Sequence, residues 1–126
     1  MPNPLIHQIL TLPQGARFYR ADLHCHTPAD KAFNCGTMSV NTEQEKHAFA
    51  EAYVRFVKER QGMDIIGVTD HNDVGWVSYI QAAARDVGLI VFPGLELGAQ
   101  SGKRQVHFLA LFDPETSHDR LDHFLS

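Results

Sequence analysis

Ala21-Asp22-Leu23-His24-Cys25-His26-Thr27-Pro28 is the stretch that decides how the rest of the chain is read. A short strand ending in His-x-His turns His24 and His26 to one face, because strand side chains alternate with a period of two, and sends Cys25 to the other. Two imidazoles thus converge where a strand runs out, a rigid beginning for a site that takes Zn²⁺, Mn²⁺ or Fe²⁺. Alone the pair is weak, since two polar residues closing a strand are the ordinary alternative. The same arrangement returns downstream. Asp70-His71 follows the apolar run Asp64–Thr69, Glu96 follows Leu89–Leu95, and His107 lies inside Gln105–Phe112.

Taken together and in order, Asp-Leu-His-x-His-Thr, Thr-Asp-His-Asn, Pro-Gly-x-Glu and a histidine in an apolar strand resemble the first three motif blocks of the PHP family, the polymerase and histidinol phosphatase domains. The resemblance covers about residues 20 to 112. It implies an α/β fold, the N-terminal part of a distorted (β/α)7 barrel of mostly parallel strands. It also implies two or three divalent ions (Zn, Mn or Fe) that hydrolyse phosphate esters, with Glu96 as a bridging ligand. The family's fourth block, an Asp-x-His near the end of the barrel, does not appear downstream of His107, so the chain is expected to be a truncated barrel. A parallel α/β barrel usually takes about 250 residues, against 126 here.

The expected metal ligands are His24, His26, Asp30, His71, Glu96 and His107. His24, His26 and Glu96 would hold one ion, Glu96 and His107 part of a second, and His71 with Asp30 part of a third. Asp30 stands in a turn-rich loop, Thr27–Val40, where a solvated turn residue is the equal alternative. For His107 the alternative is a hydrogen-bonded core histidine. Asp70 and His71 form the candidate catalytic pair, with Asp70 expected to orient an imidazole or contribute charge, since metal-bound histidines usually hand their other N–H to a carboxylate. Lys103-Arg104 is either a phosphate contact or an exposed basic turn. His7, His47, His118 and His123, the other four of eight histidines, are left without a role.

Composition sets the class. Hydrophobic residues make up 44%, charged residues 21%, and the net charge is −4; the chain lacks the basic excess that tracks a nucleic-acid backbone. Two cysteines are too few for a disulfide framework and point to a reducing, cytoplasmic setting. No N-terminal signal is visible, and no apolar run approaches the roughly 20 residues of a membrane span.

Residues 1–17 carry three prolines and read as an arm with one helical turn at Leu5–Leu10; residues 18–126 read as the partial domain. Expected strands are Phe18–His24, Asp64–Thr69, Leu89–Phe92 and a buried Gln105–Phe112, with Pro93-Gly94 as a bend and Gly98–Arg104 as a hairpin turn. A first helix starts at the capping box Thr42-x-x-Glu45, stops at Gly62 and turns Ala48, Phe49, Ala52, Tyr53, Phe56 and Val57 inward. A second runs from about Gly75 to Val87, with Gly88 beyond its end, and Trp76 either closes the core or lines a pocket. Asp113-Pro114 is expected to start a last helix with Leu121, Phe124 and Leu125 on its apolar side.

The leading functional expectation is a metal-dependent phosphatase, phosphodiesterase or nuclease that needs downstream sequence. Its substrate would be a phosphorylated small molecule, a nucleotide or a nucleic-acid end. The other is a non-catalytic or regulatory half-domain, part of a larger polymerase- or ATPase-fused protein. Either form is expected to self-associate through open sheet edges.

Overall fold

A computed structural model describes residues 11, 12, 15 and 17–126. The expected helical turn at Leu5–Leu10 lies outside the described residues. Four strands form one sheet in the order β1-β2-β3-β4: β1 Ala21–Cys25, β2 Ile65–His71, β3 Ile90–Ser101 and β4 Arg104–Leu111. β1, β2 and β3 run parallel, and β3 turns back on β4 as an antiparallel hairpin. Among the described residues three α-helices accompany them: α1 Glu43–Arg55, α2 Val77–Arg85 and α3 His118–Leu125.

β2 and α2 form for the reasons their sequences suggest. Ile65–Val68 is a continuous apolar run, as a strand buried on both faces requires, and Ile66 through Asp70 are all buried. α2 packs Val77, Ile80 and Ala84 inward. It ends at Arg85, and beyond it Gly88 takes φ +69° while the Val87 and Leu89 N–H groups return to the Ala84 carbonyl. α1 opens on a complete capping box, with Thr42 Oγ1 accepting from the Glu45 N–H and the Glu45 carboxylate accepting from the Thr42 N–H. Its last turn widens into a π-helical segment, Phe56–Arg60, before Gly62.

One face of the sheet is covered by the helices. Ile66, Val68, Val91 and Leu95 there join Phe49, Val54, Val57, Val77 and Ile80 in a single core. Trp76 closes this core, its ring edge-on to Phe49. The other face is concave and open. Leu111 of β4 reaches across β3 towards β2, so a Cβ on Gly67 would come within 3.0 Å of Leu111 and 2.7 Å of the Leu23 carbonyl. Gly94 is equally confined, with the Ala110 carbonyl at 2.6 Å. Two residues without side chains thus let the sheet curl into an open half-barrel.

Several expectations need correction. The inward face of α1 and its π-helical continuation is Phe49, Ala50, Tyr53, Val54 and Val57; Ala48, Ala52 and Phe56 are exposed, Phe56 at 55%. Pro93-Gly94 does not bend the chain out of the sheet, because Pro93 sits where the β4 ladder ends. Its carbonyl accepts from Phe112, and its absent N–H falls at the last rung. Gly98–Ser101 therefore belong to β3, leaving Gly102-Lys103 as the whole turn. β4 is an exposed edge strand rather than a buried one. Asp113 caps a turn, accepting from the Glu115 N–H, and the last helix starts only at His118 with Ser117 as its N-cap. Of its apolar side Leu121 is buried, while Phe124 and Leu125 are exposed.

Candidate metal centre

The donors gather at the C-terminal end of the parallel strands, on the open face. A register shift between Asp22 and Cys25 puts an irregularity in β1 just where His24 lies. His24 and His26 project together, Nε2 to Nε2 at 3.2 Å, while Cys25 packs against the core. Burial, and then the nearby Asp22 carboxylate, push the Cys25 thiol up to about 12, so it is a protonated core residue at neutral pH.

Glu96 is the centre of the cluster and is 4% exposed. The parallel register pairs it with His71 across β2 and β3. Its Oε2 lies 2.9 Å from His24 Nε2, 3.2 Å from His26 Nε2 and 3.1 Å from His71 Nε2, and its Oε1 meets His107 Nδ1. These contacts, with His107 and then His24 contributing most, hold its carboxyl at about 2. Asp30 comes in from the loop after β1, with Oδ2 at 3.2 Å from His71 Nδ1 and 3.3 Å from His26 Nδ1. The Ala32 N–H, and then His71, keep its carboxyl below the usual range. All six expected donors therefore converge, in three overlapping groups: His24, His26 and Glu96; His26, Asp30 and His71; His71, Glu96 and His107.

The donor set fits a divalent cation. Imidazole nitrogen and carboxylate oxygen suit Zn²⁺, Mn²⁺ or Fe²⁺. Two nitrogens on one tetrahedral zinc stand roughly 3.3 Å apart, close to the separations within the first group. His26 Nδ1 is buried without a hydrogen-bond partner. His26 and His71 each serve two groups through different nitrogens, and a neutral imidazole has one free lone pair. Neutral rings therefore cannot complete all three groups at once.

Asp70 occupies a different place. It is 1% exposed, and both of its oxygens are taken by Thr27, at 2.7 Å from the backbone N–H and 2.6 Å from the hydroxyl. The nearest imidazole nitrogen, His26 Nδ1, is 3.7 Å away. Burial pushes its carboxyl upward against the opposing pull of the Thr27 hydrogen bonds. Thr27 escaped the reading of the sequence; its only signal was its position directly after His-x-His. Lys103 and Arg104 sit at the exposed hairpin tip, at the end of β3 and β4 beyond Gly98 and His107. His47 packs on the Tyr79 ring and His118 pairs with Asp122, both away from the donors.

No helix among the described residues is long and apolar enough to cross a membrane. No protein-family model matches the chain. It is 28% identical over 90 residues to a 5'-3' exoribonuclease of Haemophilus influenzae, aligning with 71% of this chain and 27% of that protein. Two solved structures share the fold. One is described as a putative metal-dependent phosphoesterase of Bifidobacterium adolescentis (TM-score 0.57, 20% identity, 85% of this chain and 32% of that one). The other is an amidohydrolase of Chromobacterium violaceum with bound sulfate and no metal (TM-score 0.51, 24% identity, 84% and 32%). The chain thus spans about a third or less of the length of the proteins it matches; it shares the α/β fold of the two solved structures and carries a multi-histidine, acidic donor cluster at its strand ends.

Proposed function

We propose that this chain carries the metal-bearing part of a PHP-type phosphoesterase, with residues 18–126 belonging to a larger barrel. The observation that carries the reading is Glu96, a buried carboxylate whose two oxygens meet four imidazoles, two from the end of β1 and one each from β2 and β4. Such a carboxylate is built to be shared between cations. Divalent ions held there would polarise a phosphoryl oxygen and supply an activated water. The chain's own residues do the rest: Glu96 and the imidazoles fix where charge is met, and the open concave face leaves the rim accessible. A nucleic-acid end is the favoured substrate, supported by the similarity to an exoribonuclease. The direct assay compares a 5'-phosphorylated RNA oligonucleotide, bis(p-nitrophenyl) phosphate and p-nitrophenyl phosphate, with Mn²⁺ or Zn²⁺ and after chelation. Hydrolysis that disappears with chelator and returns with metal is expected. Hydrolysis indifferent to chelator would overturn the reading.

A further inference from the structure

Thr27 is a polar residue with no exposed surface, and its polar groups are engaged on three sides. Its N–H and hydroxyl both donate to Asp70, its Oγ1 accepts from the Ala29 N–H at 3.2 Å, and its carbonyl accepts from the Asp30 N–H at 3.0 Å. Thr27 follows His26, and Asp70 precedes His71, so this clip ties the loop after β1 to the end of β2. The Tyr53 hydroxyl, from α1, adds a bond to the His26 carbonyl at 3.0 Å. We propose that Thr27 is a positioning residue: through its grip on Asp70 and on the turn to Asp30, its hydroxyl assembles the His26, Asp30 and His71 group. In this role Asp70 acts by geometry rather than by charge. The proposal rests on the metal-dependent reading above, and it separates one donor group from the others.

Valine is nearly isosteric with threonine but would strand a buried Asp70 oxygen and release the Ala29 N–H. Asparagine at 70 keeps both contacts with the hydroxyl bond reversed, its Oδ1 accepting from the Thr27 N–H and its Nδ2 donating to Oγ1, which then turns its own hydrogen away. The test titrates chelator-treated chain with Mn²⁺, following heat and the EPR signal of free Mn²⁺. Thr27→Val should weaken by about 10–100-fold the same class of sites that Asp30→Ala weakens, the usual scale for a residue behind a ligand. The class that depends on Glu96 and His107 should stay within about threefold. Thr27→Ser and Asp70→Asn should both keep near-native binding. Amide hydrogen exchange on metal-free chain gives a second reading, in which Thr27→Val should speed exchange at Asp30 while the β2 amides remain protected. Equal weakening of all classes, no rescue by serine, or unchanged exchange at Asp30 would overturn the proposal. If the unsubstituted chain binds no Mn²⁺, the metal reading falls, and the exchange data alone decide the clip.

Discussion

The two faces of the sheet are made from similar residues and have opposite fates. On the covered face Ile66, Val68, Val91 and Leu95 lie under α1 and α2 with almost no exposure. On the open face Leu23, Ile65, Phe92 and Leu111 line an apolar hollow of about 470 Å³ that none of the described helices fills. The donors stand at the rim of this open face, where a ligand can reach them. Apolar character therefore stabilises the fold only where a helix covers it, and the uncovered half leaves the strand ends accessible for chemistry.

The largest expected effect breaks the comparison directly. Leu95→Ala, on the covered face, should cost about 2–5 kcal/mol in denaturant unfolding, whereas Leu109→Ala, on exposed β4, should cost under about 1 kcal/mol. Similar losses at both would mean that the open face is covered in solution.

Association should follow from the same asymmetry. β4 is a sheet edge with Val106, Phe108, Leu109 and Leu111 exposed. Apolar surface contributes roughly 25 cal/mol per Å² when it is removed from water, and an unpaired edge offers backbone partners. Sedimentation over a concentration series should show self-association that Val106→Lys or Phe108→Lys reduces. A concentration-independent monomer would show that the edge is already protected.

The comparison also explains what was legible. β2 and α2 were readable because an unbroken apolar run, and a helical stripe closed by Gly88, each allow one solution. The donors were readable because a buried strand leaves little reason for a charged residue at its end except a partner. The phase of α1 was not, since Ala48 and Ala52 match the inward stripe almost as well as Ala50 and Val54, and alanine adds little apolar area to decide between them. The continuity of β3 through Pro93 was hidden because it depends on where β4 stops, a tertiary fact. Thr27 was hidden for the same reason: its partner is 43 residues away.

A smaller effect separates the rim from the rest of the open face. The carboxyl of Glu96 lies below its ordinary 4.5, at about 2, in the metal-free chain. A depressed carboxyl contributes stability that is fully present above about pH 4.5 and is lost as the pH falls towards 2. Glu96→Gln should flatten that limb of the stability profile. An unchanged limb would mean that other carboxylates dominate it.

The most direct measurement is metal content by elemental analysis of chain purified without chelator. Glu96→Ala and His24→Ala should lose bound metal, while His118→Ala and His123→Ala, on exposed α3, should retain it. Equal retention in all four variants would contradict a metal centre at the strand ends.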